Sequence, residues 1–456
     1  MRLSEYASTQ RTYGSRKVPR SVQQSIPIDR IYEDGTWRCG NVYSQMWSMP
    51  DINFTMSDED NKAKILDLLG KVYMGVPSDC WLKICIVSQR MDEKSFRENV
   101  LLHRCNDGFD KWRIERNRRI RQCVKEAGNV VQHKYLILST NKQNVTDARS
   151  RLLQVQGNLL AELSNLGCTI KPMTNNDRLE VLHNFFRRGE EGRFLFSFDD
   201  YGKLGNDFRN TIAPDAMRFT TKYAEIDNGF ARAMTIAQYP QQLSDNFVAT
   251  LLQQVPYIVL SIDITPVETE DAMREIEASQ MKIDSEKYRA NRRNVENLDF
   301  MATISPRNQQ QEKYTAEIRN AICEGDQQVF MVLLSVAFFA DTPDELRQET
   351  DALQSAAANF NCRFTEMRFQ QENCFNTAMP YGLRRVESSH MMLTRSVTAL
   401  VPFVAQEVQS PQGIFYGRNA ITGNLIVGDR TKLINGNAMV IATSGSGKSM
   451  SVKMEI

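Results

Sequence analysis

The chain has 456 residues, of which 41% are hydrophobic and 24% charged, and carries a net charge of +1. These are the proportions of an ordinary globular protein with room for two or three domains, and they exclude an argument for nucleic acid from overall charge. Nine cysteines with no CxxC pair and four scattered histidines (His103, His133, His183, His390) argue for reduced cytoplasmic thiols and against a disulfide framework or a metal cluster.

The N-terminus, MRLSEYASTQRTYGSRKVPR, is polar and basic, with no apolar core for a secretory signal. Residues 1–28 are expected to form a flexible basic arm. An α/β pattern then begins: a strand over Tyr43–Trp47, a helix over Asp58–Tyr73 and a strand over Trp81–Val87. A long polar helix is expected over Glu93–Glu126, then a strand over His133–Leu138, a helix over Val145–Leu166, a strand over Cys168–Pro172 and a helix over Arg178–Phe186. Residues 29–187 make this first unit, and 188–230, with Gly189, Gly192, Gly202 and Gly205, an irregular linker.

The pattern recurs over 231–395. Strands are expected over Arg232–Ala237, Tyr257–Ile264, Val329–Phe338 and Cys362–Arg368, and helices over Leu243–Leu252 and Pro343–Ala358. A charged excursion over Glu268–Cys323 reads as a helical hairpin turning at Ser305-Pro306. The longest apolar stretch, Val329–Ala340, is short of the ~20 residues a membrane span needs. Each half reads strand-helix-strand, polar insert, strand-helix-strand. The expected fold is therefore α/β (α+β): two ferredoxin-like α/β units with long helical inserts, followed over 396–456 by the start of a RecA-like P-loop NTPase domain.

Within the first insert, Lys111, Arg113, Arg116, Arg118, Arg119, Arg121 and Lys125 alternate with Trp112, Ile120 and Val124. Such a helix can track phosphates or rest on acidic lipid. A solvated face or a docking surface for an acidic partner is the commoner use, because the cations spread over more than one face.

The most specific motif is ATSGSGKS, Ala442–Ser449. An apolar strand expected over Ala438–Ile441 precedes it and a helix follows. Strand, glycine turn and helix N-terminus converge backbone N–H groups on a phosphate. Ser444, Gly445, Ser446, Gly447, Lys448, Ser449 and Met450 form the candidate ATP site. Gly445 and Gly447 allow positive φ, Lys448 reaches the β- and γ-phosphates, and the Ser449 hydroxyl ligates Mg²⁺. Ala442 stands where the strict pattern has glycine. Hydrolysis also needs a second acidic motif and a residue that orients water. Neither can be assigned before Ile456, so turnover by this chain alone is not expected.

TRSVTALVPFVAQ (Thr394–Gln406), GIFYGRNAITGNLIVGDR (Gly413–Arg430) and the loop itself, with PDAMRFTTKYAEIDNGFARAMTIAQYP (Pro214–Pro240) upstream, resemble the CagE/TrbE/VirB family of conjugative-transfer, type IV secretion ATPases. The resemblance implies a hexameric ATPase peripheral on the cytoplasmic face of the cell membrane. It implies docking on secretion-channel components at the inner membrane and the use of ATP and Mg²⁺. Gly445, Gly447, Lys448 and Ser449 match the family's phosphate-binding positions; the catalytic residues have no counterpart. Two alternatives stand beside this: a non-catalytic docking and assembly module of the channel, and part of an unrelated DNA-translocating ATPase. Residues after about Gln406 are expected to be loosely held, their apolar faces uncovered.

Overall fold

The computed structural model describes residues 21–90, 96–98, 100–127, 130–190, 193–198, 207–240, 242–296, 319–320, 327–404, 410, 413–419, 425–432, 435 and 437–453. In chain order a hairpin of β1 (Arg30–Ile31) and β2 (Trp37–Cys39) leads into β3 (Val42–Met49), α1 (Glu59–Met74), β4 (Cys80–Arg90) and α2 (Asp110–Ala127). Then come β5 (Val130–Asn141), α3 (Val145–Asn165), β6 (Lys171–Pro172) and α4 (Asn175–Phe186). The same order returns as hairpin β7 (Met217–Phe219) and β8 (Ala224–Ile226), then β9 (Gly229–Gln238), α5 (Phe247–Leu252), β10 (Ile258–Pro266) and α6 (Thr269–Glu296). It continues through β11 (Val329–Ala340), α7 (Pro343–Asn359), β12 (Arg363–Glu366) and α8 (Gln371–Ala378). β13 (His390–Leu393), α9 (Thr394–Thr398), β14 (Ile414–Arg418), β15 (Leu425–Gly428) and α10 (Lys448–Lys453) follow.

The helices begin where a side chain takes the first orphan amides. Asp58 accepts from Asn61 N at the start of α1, Asn144 from Asp147 N at α3, and Thr342 from Glu345 N at α7, with Pro343 just inside. Thr174 and Asp177 cap α4 reciprocally. The stripe Ala148, Leu152, Val155, Leu159 and Leu163 gives α3 one buried face at helical spacing.

The protein is mixed α/β, built on one large antiparallel sheet. Its strands run β1-β2-β3-β5-β4-β10-β11-β9-β8-β7, with β6 also on β3, β12 on β9 and β13 on β11. The halves meet at the sheet centre, where β4 pairs with β10 from Ile258↔Ser88 to Ile264↔Leu82. Alternate residues of the strands enter two cores. Leu82, Ile84 and Ile86 of β4, Ile258, Leu260 and Ile262 of β10, and Val332, Leu334 and Val336 of β11 pack under α1, α3, α5 and α7. Cys85, Val87, Ile137, Val259, Ala337 and Phe339 pack on the other face under α4 and α8. No helix among the described residues is long and apolar enough to cross a membrane.

Several expectations are corrected. Ile26 and Ile28 are buried in the second core, so the packed structure begins inside the expected 1–28 arm; residues 1–20 lie outside the described residues. The linker holds the β7–β8 hairpin, whose strands of three residues are too short to show alternation; its Gly192, Gly202 and Gly205 lie outside the described residues. The helix expected over Glu93–Glu126 is interrupted: residues 96–98 are helical, residues 100–109 are not, and the long helix starts at Asp110. Asn106 and Gly108 take positive φ, and Asp110 accepts from Cys105 N (3.0 Å) and Asn106 N (3.1 Å), which fixes a turn there. The second helix of the Glu268–Cys323 hairpin and its Ser305-Pro306 turn fall outside the described residues; the first is α6.

Glu349 on α7 has a buried Oε2 with no hydrogen-bond partner. Burial, reinforced by Glu345, pushes its carboxyl from 4.5 up to about 7. A raised carboxyl pKa favours the fold below pH 4.5 and costs stability as pH rises through 7. Glu349→Gln should therefore stabilise the protein by on the order of 1 kcal/mol at pH 8, after allowance for solvent screening. Urea melts should show that gain vanish at pH 4; an equal gain at both pH values would contradict the assignment.

Candidate functional site

The candidate loop is reached through the β14–β15 hairpin. Its strands pair from Ile414↔Gly428 to Arg418↔Leu425, with an irregularity between Phe415 and Gly417. Gly413 sits so close to the opposite strand that a Cβ would lie 2.7 Å from the Gly428 backbone, so only glycine fits. Leu425 and Val427 are buried against Phe96, Val100, Leu101 and Ile120, with Phe415 alongside. The hairpin is thus seated on the first insert, contrary to the expectation of a loosely held segment. Beyond it, the Asp429 carboxylate accepts from Thr431 N (3.0 Å) and Thr431 Oγ1 (2.6 Å), and Arg430 lies over the Tyr416 ring.

The strand expected over Ala438–Ile441 is not formed among the described residues. The segment carries no ladder, and Met439 and Ile441 are 86% and 81% exposed. Apolar character alone does not make a strand; a paired neighbour must satisfy its amides, and no described strand lies beside it.

The residues of the candidate site form one turn and helix start. Ser444, Gly445, Ser446 and Gly447 make the turn, and Lys448, Ser449 and the backbone of Met450 open α10. Gly445 and Gly447 have φ of 82° and 86°, a region costly to any residue with a Cβ. Ser446 N and Oγ both donate to Thr443 O, at 3.3 and 2.8 Å. That bond tightens the turn, and the first amides of α10 have no acceptor within the helix. Lys448 and Ser449 are exposed, and Lys448 forms no ion pair with a described residue. Ala442 is exposed as well, so its methyl group is accommodated.

No group of three or more His, Cys, Asp or Glu that could hold a metal ion occurs among the described residues. The exposed Ser449 hydroxyl offers a single oxygen. That donor fits Mg²⁺ arriving with a nucleotide, since Mg²⁺ takes its other ligands from phosphates and water.

The basic run of the first insert is divided by the structure. Arg113 is held by Asp107 and Asp110, Arg116 reaches Val100 O, and Arg118 and Arg119 lie at 3.7 and 3.2 Å from Glu115. Ile120 faces the hairpin, and the side chains of Val124 and Lys125 lie outside the described residues. Sequence reasoning missed one polar site, the buried ion pair of Lys83 and Asp263, 3.1 Å apart across β4 and β10. The signal was one opposite charge in each of two apolar strands. Compared with models of known protein families and with curated proteins, the chain gives no match.

Proposed function

We propose that this chain binds Mg·ATP through Ser444–Ser449 and belongs to an ATPase that energises a type IV secretion or conjugative DNA-transfer channel. The observation that carries the nucleotide reading is the pair of left-handed glycines, Gly445 and Gly447, running directly into the first turn of α10. Left-handed glycines ahead of a helix start let backbone amides turn toward an anion, and Lys448 and Ser449 stand at that start, as the binding of a polyphosphate and its Mg²⁺ would require. Such a site binds; water attack on the γ-phosphate would call on groups beyond these.

In this reading the two repeated halves are ferredoxin-like units. The strand orders β6-β3-β5-β4 and β12-β9-β11-β10 support it, each being the split β-α-β arrangement of that unit. The hairpin and loop are the opening of a RecA-like domain. Channel components at the inner membrane are the proposed partners, and a hexamer the proposed assembly.

The test is calorimetric titration of Mg·ATP into the protein. Lys448→Ala should weaken binding by about tenfold to a hundredfold, the worth of a charge-assisted hydrogen bond to phosphate. Heat of binding that ignores Lys448→Ala, or none at all with the parent chain, refutes the nucleotide site.

A further inference from the structure

We propose that the outer surface of the first insert, residues 102–121, docks on an anionic phospholipid membrane. This inference stands on the insert alone and does not need the nucleotide site.

The inner side of the insert is fixed. Ile120 is buried with Phe96, Val100 and Leu101 against the β14–β15 hairpin. Asn117 clasps Leu102, accepting from its N (3.0 Å) and donating to its O (2.9 Å). Arg113 binds both Asp107 and Asp110, which leaves one net negative charge on the turn before α2. The outer side is therefore held in one shape.

That outer side is apolar and cationic together. Phe109 and Trp112 are 63% and 70% exposed, and Leu102 and Ile114 are exposed as well, with Ile114 and Trp112 on opposite flanks of the outer side of α2. Arg104, Lys111, Arg118, Arg119 and Arg121 are exposed. The remaining acid of this surface, Glu115, is shared by Arg118 and Arg119. Spacing arranges the helix residues in two stripes: Lys111, Ile114, Arg118 and Arg121 along one, Trp112 and Arg119 along the other.

Burying such side chains in water's place is what a bilayer interface does. Trp settles at the headgroup level, Phe, Leu and Ile enter the acyl boundary, and Arg and Lys meet lipid phosphates. Single-stranded nucleic acid would use the cations and stack on the aromatic rings, but it offers nothing to Leu102 and Ile114. The aliphatic pair decides for lipid.

Trp112 is the exposed member of the chain's four tryptophans, while Trp37, Trp47 and Trp81 are buried, so it reports on the surface directly. Vesicles of phosphatidylcholine mixed with phosphatidylglycerol should pull down the protein and shift Trp112 emission to the blue; phosphatidylcholine alone should do neither. The triple variant R118Q/R119Q/R121Q should lose vesicle affinity by on the order of a hundredfold. The double variant F109A/W112A should lose it by about tenfold or more, and both should keep the parent's thermal melt because these side chains are exposed. Absence of binding to the mixed vesicles overturns the proposal. So does binding that survives F109A/W112A, and so does capture of a single-stranded oligonucleotide through the same arginines without vesicle binding.

Discussion

Replacing Asp263 with alanine should destabilise the protein by about 3–5 kcal/mol, the usual loss when one partner of a buried ion pair is removed. Asp263 and Lys83 face each other directly across β10 and β4, and both side chains are fully buried. Lys83 Nζ also donates to Thr377 O and, at 3.0 Å, to Leu383 O. One ammonium thus holds the sheet and both ends of the segment that crosses the second face after α8. Burial pushes the Asp263 carboxyl above its usual range, while the Lys83 and Arg384 cations pull the other way. Neither carboxylate oxygen accepts a well-aligned hydrogen bond, so the contact is one of charge. Without Asp263 the ammonium keeps its two carbonyls and loses its counter-ion. Asp263→Asn, similar in shape and neutral, should lose nearly as much as the alanine variant. The double variant Lys83→Met, Asp263→Leu should recover most of the loss, because hydrocarbon replaces the pair outright. Denaturant melts of the parent, the two single variants Lys83→Met and Asp263→Leu, and the double variant form a double-mutant cycle. Additive losses, with no coupling between the two positions, would show that the pair is not the element that matters.

Gly382→Ala should cost about 2–5 kcal/mol, combining left-handed strain with overpacking. Its φ is +79°, and a Cβ would lie 2.4 Å from Ser139 Oγ, 2.9 Å from Ser44 Cβ and 3.3 Å from Ile137 Cγ2. The neighbouring backbone cannot retreat freely. Tyr381 O accepts from Ser44 Oγ at 3.2 Å, and Gly382 O accepts from Trp81 Nε1 at 3.1 Å. Gly167 provides the control, with a φ of +80° and nothing within 4 Å of the same added atom. Gly167→Ala should cost only about 1–2 kcal/mol, the conformational term alone. Equal losses at the two glycines would remove crowding from the account.

The parts of this fold that were legible in the sequence are those whose cause is local. The apolar runs of β4, β10 and β11 gave the central strands. The helices expected from Asp58, Val145 and Pro343 start within a residue of those positions, where Asp58, Asn144 and Thr342 cap them. The turn at Gly445 and Gly447 and the helix start at Lys448 were readable because the residues that set them lie within one turn. What escaped depends on partners far along the chain. β1, β2, β7 and β8 span two or three residues each and are strands only because each hairpin pairs onto a longer strand, β2 on β3 and β8 on β9. Ala438–Ile441 looks like a strand by composition, yet pairing decides the matter. Lys83 and Asp263 were visible as single charges in apolar strands, but their register across the sheet was not. The exposure of Phe109 and Trp112 was hidden for the opposite reason: an aromatic residue in a sequence is ordinarily taken as core.

The pairing of β4 with β10 bears on how the protein can move. Seven consecutive residue pairs join the halves, and core side chains from both sides interlock above and below that line. A hinge there would have to tear a ladder and open two cores at once, so the halves behave as a single chassis. The first insert and the β14–β15 hairpin lie apart from that seam and share a small core of their own, Phe96, Val100, Leu101, Ile120, Leu425 and Val427. Displacing α2 would therefore disturb Leu425 and Val427 before it disturbed the sheet.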